Sequence, residues 1–151
     1  MRSLRLLSAL LLVVLAIGSA RAADERLAVP SVDDQAKALR FYTDVLGFNK
    51  KSDIPVGEYR WITVTSPESP TDLELALEPN ANPAARMFQE AMFKQGIPLA
   101  AFEVIDLAAE FSRLSTRGVA FTRSPTPAGP ISLAIFADTC GNLIQLYQPL
   151  A

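Results

Sequence analysis

The sequence predicts an α+β domain built from two βαβββ modules that form a curved mixed sheet around a cavity. Three observations point there. One order of elements, strand, helix and three strands, occurs twice along the chain. The landmarks of the repeat keep a nearly constant offset, with Asp34 and Asp106 72 residues apart and Gly47 and Gly118 71 apart. Within the strand-like segments apolar residues alternate, as they do in a sheet with one covered face.

The elements follow in order. Arg2 and Arg5 precede an apolar run from Leu6 to Ile17, broken only by Ser8, and Ala20-Arg21-Ala22 follows. That order is a signal peptide over residues 1–22, and the run is too short for a membrane span of roughly 20 residues. The expectation is a mature chain from Ala23, residues 23–151, that is periplasmic or secreted and keeps no stable membrane anchor after cleavage. Module one covers about 26–79. Its first strand lies at 27–32, and Asp34 is placed to cap a helix carrying Ala36, Leu39, Phe41, Tyr42, Val45 and Leu46. Gly47 stops that helix, and strands are expected at 48–54, 60–65 and 73–77. A linker helix at about 82–95 has Asn82 as its cap and Pro83 in its first turn. Module two, about 98–149, repeats the order: a strand at 99–104, the Asp106 cap, and a helix with Ala108, Phe111 and Leu114 on one face. Gly118 ends it, and strands follow at 119–123, 131–136 and 143–148.

Composition excludes several functions. A net charge of −2 and a pI near 5.1 give no basic field for a phosphate backbone, so no nucleic-acid partner is expected. The chain has no histidine. Ser-His-Asp and Cys-His mechanisms are therefore absent, as are imidazole zinc sites and the two-histidine iron site. Cys140 is the single cysteine, in a turn-rich stretch with no basic neighbour in sequence, and reads as a free thiol or an intermolecular link.

The stretch Val32 to Phe48, with FYTDVLGF at its end, then Arg60 to Val64 and CGNLIQL from Cys140 to Leu146, resembles the vicinal-oxygen-chelate superfamily. This is the family of glyoxalase, bleomycin resistance protein and extradiol dioxygenase-like domains. The likeness spans Leu27 to Pro149. It implies two βαβββ modules curved around a common cavity, often in a dimer, so a homodimer is a possible partner. Metal-using relatives hold their ion at four positions on the first and last strands of the modules. Carried over one by one, these are Leu27, Glu74, Leu99 and Gln145. Two leucines and a neutral amide leave one carboxylate, too few donors for a stable divalent site. The resemblance thus implies the fold and the cavity with no metal and no cofactor, and does not carry over the lyase or dioxygenase activity.

Alternation then sorts the cavity wall. With Glu74 and Gln145 facing the cavity, Ala76, Glu78, Leu143 and Tyr147 share their side, and Leu73, Leu75, Leu77, Ile144 and Leu146 turn to the helices. Ile62 and Val64 read as core, which places Trp61, Thr63 and Thr65 on the cavity side. The same logic gives Ser132, Ala134 and Phe136 in module two. The candidate ligand-binding set is Trp61, Thr63, Glu74, Phe136, Gln145 and Tyr147, apolar walls with a few polar groups. Each has a plainer reading: Trp61 as packing, Glu74 in an ion pair with Arg60 or Arg40, Tyr147 bonding backbone, and Met87, Met92 and Phe93 as core or interface.

Three functions fit these residues. The first is an exported protein that binds a small molecule in a metal-free cavity. The second is a metal-independent lyase or isomerase with Glu74 as the catalytic general base. The third is a dimerisation or interaction module without a ligand.

Overall fold

The computed structural model describes residues 26–68 and 73–150. The expected signal peptide lies outside the described residues. Module one contains β1 (Arg26–Ala28), β2 (Ser31–Val32), α1 (Gln35–Arg40), a π-helical turn (Phe41–Val45), β3 (Asn49–Val56), β4 (Tyr59–Thr65), β5 (Leu73–Ala76) and β6 (Glu78–Pro79). The linker helix α2 is Pro83–Lys94. Module two contains β7 (Ala100–Glu103), α3 (Leu107–Thr116), β8 (Phe121–Ala128), β9 (Ile131–Ala137) and β10 (Leu143–Pro149).

The strands pair as two four-stranded mixed sheets, β1-β5-β4-β3 and β7-β10-β9-β8, with β2 and β6 as a small parallel ribbon. In each module the first strand runs parallel to the last, and the other pairings are antiparallel. The strand expected at 27–32 is split in two. Pro30 has no N–H to give to a ladder, so β1 ends before it, and the Pro30 carbonyl accepts from Glu78 N at 3.1 Å as β2 takes up β6.

The caps follow the sequence. Asp34 accepts from the N–H of Ala36 and Lys37, Asp106 from Ala109, and Asn82 from Ala84. Both helix stops are glycines in the left-handed region, Gly47 at φ 88° and Gly118 at φ 82°. Between α1 and Gly47 the helix widens, with Leu46 N bonding the Phe41 carbonyl at 3.1 Å. Phe41 and Tyr42, adjacent in sequence, are both buried in that turn.

Helix-side residues of both modules form one core. Val32, Tyr42, Ile62, Val64, Leu75 and Leu77 from module one meet Leu107, Leu114, Phe136, Ile144 and Leu146 from module two. Aromatic rings cross the boundary, with Phe41 against Phe136 at 6.2 Å and Phe48 against Phe102 at 5.5 Å. Arg113 of α3 donates to the carbonyls of Val45 and Leu46 at 3.0 and 3.4 Å, closing the end of the module-one helix.

A second, polar connection seats α2. Gln89 points inward at 5 % exposure while its neighbours Met87 and Phe88 face out. Its amide donates to the carbonyls of Ser31 and Cys140 and to Asn142 Oδ1, at 2.6, 3.0 and 2.9 Å. Asn142 donates to buried Asp138, which also accepts from Tyr42 Oη and from the N–H of Cys140. Cys140 itself is fully buried, and burial, with the nearby Asp138 charge, pushes its thiol up to about 12. It is a protonated core thiol, out of reach of an intermolecular disulfide in the folded chain.

Candidate functional site

The sheet faces turned away from the shared core are the candidate binding surfaces. On sheet one the register puts Val64 opposite Leu75 on the core side, and Thr65 opposite Glu74 and Thr63 opposite Ala76 on the open side. Leu75 is 2 % exposed and belongs to the core, so Glu74 points the other way. Trp61, two residues before Thr63 on β4, shares the open face at 40 % exposure. Trp61, Thr63 and Glu74 are therefore brought together, as the alternation requires.

Glu74 is 8 % exposed and takes a cation that the sequence reading did not name. Lys51 Nζ bonds Glu74 Oε1, whereas Arg60 pairs with Asp53. The reason is a β-bulge. The β3–β4 register slips between Lys50 and Ser52, so Lys51 is the extra residue and its side chain is re-aimed onto the open face. The Lys51 bond, then the neighbouring Thr63 hydroxyl, hold the Glu74 carboxyl below its ordinary value of 4.5 against the opposing effect of burial. Thr63 is fully buried, and its Oγ1 has no partner at hydrogen-bonding geometry among the described residues. Tyr59 and Ile54 were also missed. Both stand on this face, Ile54 opposite Trp61 and Tyr59 opposite Val56.

On sheet two the open face holds Leu143, Gln145 and Tyr147. Tyr147 Oη donates to Glu103 Oε2 at 3.0 Å, a side chain rather than the backbone group expected, and that bond raises the phenol above its ordinary value. Phe136 requires a correction. It is fully buried in the helix-side core, against Phe41 and Phe121. Ser132, Ala134 and Phe136 share that side, while Leu133 and Ile135 face the open surface with Leu143. The phase of β9 was read one residue out, because Ile131 to Ala137 is apolar on both faces and alternation has nothing to register against.

The mapped first-strand position in module two also shifts. Leu27 pairs with Glu74, but Gln145 pairs with Ala101, not Leu99. Leu99 instead lines a cavity of about 130 Å³ on the core side, with Tyr42, Leu75 and Phe102. Glu74 on β5 and Gln145 on β10 hold equivalent places in their modules, each on the strand that pairs with the module's first strand. Among the described residues no group of three His, Cys, Asp or Glu side chains comes together as a metal-binding cluster.

The family model for the Glyoxalase/Bleomycin resistance protein/Dioxygenase superfamily matches residues 28–146. The chain belongs to that superfamily. Its relatives include the uncharacterized protein YurT of Bacillus subtilis (strain 168), 50 % identical over 117 residues, which are 78 % of this chain and 92 % of YurT. Among solved structures of this superfamily's fold, UcmS2 is similar with a TM-score of 0.71 at 30 % identity, covering 83 % of this chain and 97 % of UcmS2. TnmS3, an antibiotic binding protein from Streptomyces sp. CB03234, has a TM-score of 0.67 at 28 % identity, covering 87 % of this chain and 99 % of TnmS3.

Proposed function

We propose that this superfamily member is an exported protein that binds a small organic molecule, without a metal, on the open face of sheet one. The observation that carries the reading is the grouping of an exposed indole, a nearly buried carboxylate and a buried hydroxyl on one sheet face. Apolar walls with a few aimed polar groups are what a small-ligand site requires. The antibiotic-binding activity named for TnmS3 supports the same class of function.

The donor set supports the metal-free part. Of the four positions where relatives hold an ion, this chain has Leu27, Ala101, Gln145 and a Glu74 already bonded to an ammonium. A divalent cation would have to displace Lys51 to gain one carboxylate, a poor return for a hard ion that needs several oxygen ligands. The general-base reading loses support from the same pair. A carboxylate held below its ordinary value is ionised at neutral pH but a weaker base. Export rests on the Arg2, Arg5, Leu6–Ile17 and Ala20-Arg21-Ala22 order. A homodimer that covers the open face belongs to the proposal.

Trp61 is the single tryptophan, so intrinsic fluorescence reports on the site directly. A metabolite library screened by thermal shift should yield compounds that raise the midpoint and change Trp61 emission. Compounds that stabilise the protein yet leave Trp61 emission untouched, in every case, would move the site elsewhere. A screen with no stabilising compound would favour the interaction-module reading.

A further inference from the structure

The chain's own ammonium on Glu74 shows what chemistry this carboxylate accepts. Lys51 reaches it only because the bulge between Lys50 and Ser52 turns an extra side chain onto the open face. The two partners differ in solvation, since the Lys51 side chain is 42 % exposed and that of Glu74 11 %. The lysine can return its head to water at small cost, because a long flexible stem leaves an ammonium readily hydrated. The carboxylate has no such freedom. Beside it stands the fully buried Thr63 hydroxyl, and further along β4 on the same face are two exposed aromatic rings, Trp61 at 40 % and then Tyr59 at 44 %.

From this grouping we propose that the ligand of this face is an organic ammonium carried on an apolar or aromatic body, and that Lys51 is a tethered competitor which it displaces. The inference rests on the small-molecule reading above and narrows its ligand class. A ligand ammonium takes the Glu74 carboxylate and offers a hydrogen to the Thr63 hydroxyl. Its apolar body lies along Trp61, about 7 Å along the strand from Thr63 at two residues' rise. Aromatic faces attract cations and repel anions. A ligand carboxylate would gain Lys51 but would then lie against the charge of Glu74, with its body on the negative face of the Trp61 ring. A neutral ligand would leave the Lys51–Glu74 pair in place and use only the aromatic wall.

The test uses three matched probes, 1-naphthylmethylamine, 1-naphthylmethanol and 1-naphthoate, titrated by calorimetry into the mature protein. The amine should bind tightest. Lys51→Met should tighten the amine by about three- to tenfold and leave the alcohol unchanged, a gain set by removing one competing ion pair. Glu74→Gln should weaken the amine by a similar factor and again spare the alcohol. Lys51→Arg, which keeps the competing charge, should hold the amine near its wild-type affinity and separates loss of charge from loss of side-chain packing. Thermal melts of all three variants establish that each is folded. Tightest binding by 1-naphthoate, abolished in Lys51→Met, would make this an anion site and overturn the inference. Equal binding of amine and alcohol, unmoved by either variant, would overturn it while leaving the small-molecule reading intact. No binding of any probe to a folded protein that still answers the metabolite screen would overturn it too.

Discussion

Glu74 and Leu75 are neighbours in sequence with opposite fates, and two substitutions separate them. Leu75 is 2 % exposed in the shared core, so Leu75→Ala should cost about 2–5 kcal/mol, measured by denaturant melts. Glu74→Gln should cost far less. Its partner Lys51 is more than a third exposed, and solvent screening limits such a pair to about 0–1 kcal/mol. The pH dependence gives the sign. The folded carboxyl lies below its ordinary value of 4.5, so its contribution is fully present above that value and is lost as pH falls through the lowered folded value. The gap between wild type and Glu74→Gln should therefore be constant near neutrality and shrink in acid. A gap that widens in acid would mean that Glu74 is protonated when folded, and the Lys51 bond would not be the controlling interaction. At this scale the sequence was readable wherever alternation had two unlike faces, as at Glu74 to Leu77, although Leu73, expected in the core, is 36 % exposed at the strand's start. It was unreadable at Lys51, because a bulge leaves no mark in a polar run of Asn49, Lys50, Lys51 and Ser52.

The elements show the same division. Caps and stops are local chemistry, so Asp34, Asn82, Asp106, Gly47 and Gly118 could all be placed from neighbours alone. The inward face of α2 could not. Met87 and Phe93 read as core or interface, yet they are 72 and 41 % exposed and the helix is seated by Gln89. The Gln89 Oε1 accepts from nearby Asn80, but the acceptors of its amide N–H groups, Ser31, Cys140 and Asn142, are at least 51 residues away in the chain. Helical periodicity sees apolar spacing and is blind to a polar lock of that kind. Gly141 completes the lock. It sits at φ 98°, and a Cβ there would meet Gln89 Nε2 at 2.9 Å. Gly141→Ala should therefore destabilise by about 1–3 kcal/mol from the left-handed backbone, and more from the clash. Gln89→Ala should cost about 1–3 kcal/mol by leaving buried acceptors without their donor. The double variant decides the matter. With Gln89 truncated the clash is gone, so the pair should cost less than the sum of the singles. Strict additivity would mean that Gly141 serves only its backbone conformation, and that Gln89 does not press on the β9–β10 turn.

For the whole molecule the question is what covers the open face of sheet one. Ile54, Val56, Tyr59 and Trp61 are 56, 60, 44 and 40 % exposed. The register places them as two cross-strand pairs, Ile54 with Trp61 and Val56 with Tyr59, so all four crowd one side of a single hairpin. Contiguous apolar surface of this kind marks a binding site or an interface. Among the described residues these four side chains stay exposed, while Thr63 and Ala76 on the same face are buried. Sheet two closes its own open side with Leu133, Ile135 and Leu143, together with Ile131 and Tyr147, and none of that cluster comes from module one. A second copy related by a twofold axis can cover the hairpin and receive the same cover in return, because such an interface is isologous. The protein should therefore sediment as two chains at micromolar concentration, with the ligand held between subunits. Ile54→Glu should give single chains. In a monomer so exposed a substitution costs within about 0.5 kcal/mol, so a folded single chain is the expected product rather than an unfolded one. If the wild type sediments as one chain, and Ile54→Glu alters ligand affinity without altering mass, the hairpin is the wall of a site that one chain completes, and the interface assigned to it falls.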